Sequence, residues 1–168
     1  MKHILLSNQV CWAILAILGL ILGVILANMW GLRINLTSSL PQGFYREVSG
    51  TPVRNDLVSF CLQGQYAQLA FDRGYVGPGS CTNGLRPLLK RLAKLPGDYI
   101  DADTLVIHSV DSQGRLISSA LQSGTIPPNM ALVLADHPGS FDSRYFGFVP
   151  LDSLKRIEPV FLFHSKGG

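Results

Sequence analysis

Charged residues are scarce in this chain. They make up 15% of its 168 residues, against 47% hydrophobic ones, so much of the apolar content must lie outside the surface of an ordinary soluble domain. A net charge of +3 is too mild to mark an electrostatic partner. Arg86, Lys90, Arg91 and Lys94 form a local basic cluster, but no second basic stripe and no aromatic stacking platform accompanies it, which argues against a nucleic-acid partner. The four histidines (His3, His108, His137 and His164) are isolated, and the three cysteines lack a CxxC spacing. Neither a metal site nor a cofactor is therefore indicated. Internal repeats and low-complexity linkers are also missing, which leaves room for one domain of ordinary size.

The apolar excess is concentrated at the start. Residues 10–27 form an unbroken apolar run with Trp12 and Trp30 near its two ends. Such a run is long enough for a helix to span a hydrocarbon core of roughly 30 Å, and tryptophan favours the interfaces. A cleaved secretory signal is the competing reading. The run exceeds the usual apolar region of a signal, about 7–15 residues, and Asn28-Met29-Trp30 is a poor small-residue cleavage site, so a retained anchor is expected. The expected layout is a short cytoplasmic segment over residues 1–9, a transmembrane anchor over 10–30 and an exported β-rich domain over 31–168. Lys2 and the α-amino group precede the span, which favours the N-terminus inside, although Arg33 and Arg46 follow it.

Cys11 falls within the span and reads as an inert apolar residue. Cys61 and Cys81 are the pair in the main domain. In an exported domain an even pair points to a disulfide, worth roughly 3 kcal/mol for a loop of about 20 residues; two buried free thiols are the alternative.

Beyond the span, turn residues recur at short intervals: Pro41-Gln42-Gly43, Gly77-Pro78-Gly79, Pro96-Gly97-Asp98, Asp111-Ser112-Gln113-Gly114, Pro127-Pro128-Asn129 and His137-Pro138-Gly139. The runs between them at 56–62, 87–93, 104–110, 131–135 and 156–163 have strand character. Residues 65–73, ended by Gly74, read as a helix. Many short strands with few helices predict a mainly β domain, a barrel or paired sheets, behind one N-terminal transmembrane helix.

Three blocks carry chemistry. Lys90 stands in the apolar-patterned stretch Pro87-Leu88-Leu89-Lys90-Arg91-Leu92-Ala93. It is either a surface residue of an amphipathic strand or a buried amine, and burial lowers an amine's pKa until it can act as a base near neutral pH. On a strand, Lys90 and Arg91 face opposite sides. Lys94, nearer the Pro-Gly turn, is expected to be more exposed. Upstream, Ser39 lies on a turn just outside the span, with Thr37 and Ser38 offering further hydroxyls. A serine hydroxyl becomes a nucleophile only when a neighbouring base takes its proton. Downstream, Ser140-Phe141-Asp142-Ser143-Arg144 places Asp142 and Arg144 two apart, so on an extended chain they share a face and can pair. Ser140 can bond the lysine nitrogen. Taken singly, each block also fits a capping serine, a surface lysine or a loop ion pair.

In this order the blocks resemble the type I signal (leader) peptidases, serine-lysine proteases of the membrane. Lys90-Arg91 followed by Leu95-Pro96-Gly97-Asp98 is similar to the family's lysine box, and the stretch from Ser140 to Gly147 is similar to its last box. The first block, with Asn35, Thr37, Ser39, Pro41, Gly43 and Tyr45 at alternate positions, is closer to the conjugative-transfer branch, the plasmid-type peptidases that mature pilin precursors. The resemblance implies a signal-peptidase-like β-rich catalytic domain with Ser39 as nucleophile, preferred to Ser38, and Lys90 as general base. It also implies that Thr37 supports the oxyanion, that Ser140 orients Lys90, and that Asp142 and Arg144 hold the site together. The implied partners are a pilin precursor or another exported protein with small residues before the cut, membrane lipid and conjugative secretion machinery. The implied location is the bacterial inner membrane, single-pass, with the catalytic domain in the periplasm. The acyl-enzyme can pass to water, or to an amine to give a cyclic pilin. A general signal peptidase and a non-catalytic membrane-tethered adaptor of an envelope assembly are the alternatives.

Overall fold

The computed structural model describes residues 8–163. Most of the expected N-terminal segment, and His164, lie outside the described residues. Helix α1, Asn8–Met29, contains no acidic or basic residue and at 1.5 Å per residue is about 33 Å long. Residues 8–26 are predominantly apolar and unburied by the domain, a stretch long and apolar enough to cross a membrane. Two residues, Trp30 and Gly31, separate it from the first strand.

The domain then runs through β1 (Leu32–Asn35), β2 (Gly43–Glu47), β3 (Leu57–Phe60), α2 (Gly64–Asp72), β4 (Leu88–Lys94), β5 (Tyr99–Ile100), β6 (Gly124–Thr125), β7 (Met130–Leu134), α3 (Ser143–Phe146), β8 (Val149–Pro150) and β9 (Lys155–Leu162). Seven strands form one curled sheet in the order β1-β2-β9-β3-β4-β7-β8, and β5 pairs with β6 apart from it. Every pairing is antiparallel. A sheet of this kind needs cover on its apolar faces. On one, Val58, Phe60, Leu92, Val133, Phe146 and Val149 pack together; on another, Leu40, Tyr45, Leu89 and Ile157 do. Ile100, Leu121, Ile126 and Leu132 close a third cluster. The fold is mainly β behind one apolar helix, as the turn spacing predicts.

Four of the five strand-like runs are strands, within a few residues of their expected bounds, and 65–73 corresponds to α2, which ends before Gly74 at φ +72°. The run 104–110 is not a strand. It follows a 3-10 turn at Ala102–Thr104, and only Val110 makes a bridge, to Leu116. Leu105, Val106 and Ile107 are a consecutive apolar run, but Val106 is exposed and no strand pairs with the run. Cys61 and Cys81 are disulfide-bonded. The bond fastens the end of β3 to the segment between α2 and β4, which supplies Tyr75, Val76, Gly77 and Arg86 to the wall of the main cleft.

Candidate active site

The serine block is the loop 36–42 between β1 and β2, closed by the pairing of Asn35 with Gly43. The alternate-residue pattern has a physical reading here. Gly43 passes so close to β9 that a Cβ on it would meet the Phe161 carbonyl oxygen and the Leu162 backbone, so only glycine fits. Tyr45 is fully buried, and its hydroxyl donates to the Pro41 carbonyl at 2.5 Å. Asn35, also buried, reaches across the loop: its Oδ1 accepts from the Thr37 N–H (3.2 Å) and hydroxyl (2.8 Å), while its Nδ2 donates to Leu40 (2.8 Å), Pro41 (3.2 Å) and Thr37 (3.1 Å) carbonyls. The Ser39 carbonyl accepts from the Asp136 N–H at 2.8 Å. Ser39 is thus held from both ends of its loop and from the segment that follows β7.

Strand β4 supplies the amine. Leu88, Lys90 and Leu92 point to one face and Leu89 and Arg91 to the other, as the strand periodicity requires. Lys90 sits opposite Val58 on β3 and is only 2% exposed. Its Nζ donates to Ser39 Oγ at 3.0 Å. Burial lowers its pKa from 10.5 to about 8; the Asp142 carboxylate opposes that shift and the Arg144 guanidinium adds to it. Arg91 turns outward and grips Asp136 with two N–H groups at 3.0 and 3.1 Å. The same Asp136 backbone holds Ser39, so adjacent β4 residues reach the serine from two directions. Lys94 is half-buried and does not line the main cleft.

The third block departs from an extended chain. Asp142 caps α3 by accepting from the Arg144 N–H, and its carboxylate takes the Arg144 guanidinium at 2.8 and 2.5 Å and the Ala135 N–H at 2.8 Å. Both residues are buried, so this is an interior ion pair and not the surface pair a loop reading allows. Arg144 donates onward to the Pro138 (2.6 Å) and His137 (3.2 Å) carbonyls. It thereby fixes the turn that leads to Ser140, whose Oγ lies 3.5 Å from Ser39 Oγ. Ser140 contacts the serine hydroxyl and makes no bond to the lysine nitrogen.

All six site residues expected from the sequence fall in one region. Ser39, Lys90, Thr37 and Ser140 line a cleft of about 560 Å3, together with Leu36, Leu88, Phe141 and Tyr145, while Asp142 and Arg144 lie behind it. Ser38, on the same turn, is exposed and does not receive the lysine hydrogen bond. A buried amine of lowered pKa beside a hydroxyl, in a mostly apolar cleft, can take that proton and return it. Among the described residues no group of three or more His, Cys, Asp or Glu side chains converges. Sequence reasoning missed what Asn35, Tyr45, Arg91 and Asp136 do. For Asn35 and Tyr45 a signal existed, their shared parity with Ser39; for Asp136 there was none, because its contribution is made by the backbone.

Residues 6–156 match the family described as signal peptidase, peptidase S26. The chain is 34% identical over 175 residues to the conjugal transfer protein TraF of Agrobacterium fabrum, covering 94% of this chain and 99% of that protein. It is 37% identical over 150 residues to the conjugal transfer protein TraF of Agrobacterium tumefaciens strain 15955, with 80% and 84% covered. A plasmid transfer protein TraF from Escherichia coli is 30% identical over 146 residues, with 77% and 82% covered. With its fold, its cleft and these relatives in agreement, the chain belongs to the signal peptidase family, peptidase S26, alongside conjugal-transfer members.

Proposed function

We propose that the protein is a membrane-anchored serine endopeptidase of conjugative transfer that cuts an exported pilin precursor through Ser39 and Lys90. The observation that carries this reading is the 3.0 Å contact between a buried, easily deprotonated amine and a serine hydroxyl at the floor of an open cleft. Neutral Lys90 takes the Ser39 proton as Oγ attacks the scissile carbonyl. The developing oxyanion accepts from the Ser39 backbone N–H, which makes no other hydrogen bond among the described residues, and from the Thr37 hydroxyl. The lysine ammonium then protonates the leaving amine, and an ester between Ser39 and the new carboxyl end remains. Water releases a linear product; an amine at the pilin's own N-terminus would release a cyclic one. Family resemblance supplies the preference for small side chains before the cut.

Anchor and cleft belong together in this reading. Helix α1 crosses the inner membrane and the domain faces the periplasm, where a disulfide persists. Ile34, Phe44 and Phe161 are aligned across β1, β2 and β9. Ile34 and Phe161 are exposed, as are Leu36 and Trp30, so an apolar surface continues from the anchor toward the serine loop. Holding enzyme and precursor in one plane raises their effective concentration.

The experiment is co-expression of a pilin precursor with wild type and with Ser39→Ala, followed by mass spectrometry of the product. Wild type is expected to give a shortened pilin and Ser39→Ala only the precursor. A product one water lighter than the linear chain identifies cyclisation. Processing retained in Ser39→Ala would overturn the assignment of the nucleophile.

A further inference from the structure

The polar side chain most heavily committed to the serine loop is one to which the dyad gives no task. Asn35 is 5% exposed, and its carboxamide engages five groups of residues 37–41. Its orientation is fixed by chemistry. The Thr37 N–H can only donate and so must face Oδ1, whereas the Leu40 and Pro41 carbonyls can only accept and so must face Nδ2. A flipped amide would set donor against donor on one side and acceptor against acceptor on the other.

Thr37 offers two donors to the same Oδ1, its N–H and its hydroxyl. The hydroxyl has one hydrogen, and in this arrangement that hydrogen is spent on Asn35. Were it to turn toward an oxyanion, Oδ1 would keep the N–H, so no buried acceptor would lose its last partner. The Nδ2 bonds to residues beyond the nucleophile meanwhile hold the Ser39 N–H in place. We propose that Asn35 is a positioning residue for the oxyanion site: it parks the Thr37 hydroxyl in the resting enzyme and releases it to the transition state while the loop stays fixed. This rests on the reading of Ser39 as nucleophile.

A group that acts only as the oxyanion forms changes kcat and leaves KM nearly alone. A residue that merely keeps the loop folded changes stability and substrate affinity as well, and does so whether or not Thr37 carries a hydroxyl. The test is a double-mutant cycle on the full-length protein in detergent micelles, cleaving a peptide that spans the precursor's cut. Asn35→Ala is expected to lower kcat by about 10–100-fold with KM changed less than about 3-fold. Thr37→Val is expected to lower kcat to a similar degree. In the Thr37→Val background, Asn35→Ala should then cost clearly less than it does in wild type, because its route through the Thr37 hydroxyl is gone and only its hold on the Ser39 N–H remains.

Full multiplicative loss in the double variant, loss confined to KM, or an unchanged kcat in Asn35→Ala would each overturn the proposal. If Asn35→Ala does not fold, Asn35→Ser takes its place in the same cycle, since its hydroxyl can accept one Thr37 donor but cannot span to Leu40 and Pro41. Ser39→Ala separates this proposal from the one beneath it. Cleavage that survives Ser39→Ala removes the dyad, whereas a dead Ser39→Ala with a multiplicative cycle removes only the role of Asn35.

Discussion

Lys90→Met is expected to abolish cleavage and, at neutral pH, to stabilise the protein. The two effects have one cause. Lys90 is 2% exposed, and burial lowers its pKa from 10.5 to about 8. Below pH 8 the amine is protonated in folded and unfolded chains alike, and the folded state carries the full cost of a buried charge. At 1.36 kcal/mol per pH unit this amounts to about 3 kcal/mol. Between about pH 8 and 10.5 the folded amine has lost its proton while the unfolded one keeps it, so wild-type stability rises across that window. Methionine fills a similar volume with no charge, so its advantage is largest below pH 8 and fades toward pH 10.5. Cleavage should fall at least about 1,000-fold, because among the described residues Lys90 is the only basic group hydrogen-bonded to Ser39 Oγ. Denaturant unfolding of both full-length proteins in micelles at pH 7 and pH 10 reads the first effect. A Lys90→Met protein less stable than wild type at pH 7 would contradict it.

The second large effect lies behind the cleft. Arg144→Met should cost about 3–5 kcal/mol of stability, since it leaves the fully buried Asp142 carboxylate with backbone donors alone. Activity falls as well. Arg144 holds the His137 and Pro138 carbonyls, and the turn they belong to sets Ser140 against Ser39 and the Asp136 N–H against the Ser39 carbonyl. A displacement of that turn by about 1 Å is enough for a 100-fold loss. The charges also act on Lys90 with opposite signs. Arg144 lowers its pKa and Asp142 raises it, so Arg144→Met moves the acid limb of the rate profile to higher pH and Asp142→Asn moves it to lower pH. Replacing both residues together removes the stranded charge and should recover most of the stability lost by Arg144→Met. Thermal unfolding and pH–rate curves of the three variants check this. A cost below about 1 kcal/mol for Arg144→Met would mean that the pair behaves as a surface one.

Much of this site was legible from local pattern, and the rest depended on distant partners. The strand period puts Lys90 and Arg91 on opposite faces of β4, whereas it is the packing of the folded sheet that makes Lys90 the one turned inward. The turn residues marked the ends of most strands. By contrast, β1 and β2 are short, and β2 begins at Gly43, a residue that depresses strand propensity; only its approach to Phe161 on β9 explains it. The run 104–110 is rich enough in β-branched and apolar residues to suit a strand, yet a strand needs a partner edge, and local sequence says nothing of one. Asp142 and Arg144 were correctly paired, but the extended geometry was wrong, because Asp142 is a helix cap. Asp136 could not be read at all, since a backbone N–H carries its contact to Ser39.

The most direct measurement is the pH dependence of kcat/KM for wild-type, full-length protein on a peptide spanning the precursor's cut. That ratio titrates the free enzyme's own groups. With Lys90 as the base, the rate rises about tenfold per pH unit below the lysine pKa and levels off above about 8. A rate that does not change between pH 6 and 10 would contradict a lysine base and, with it, the dyad.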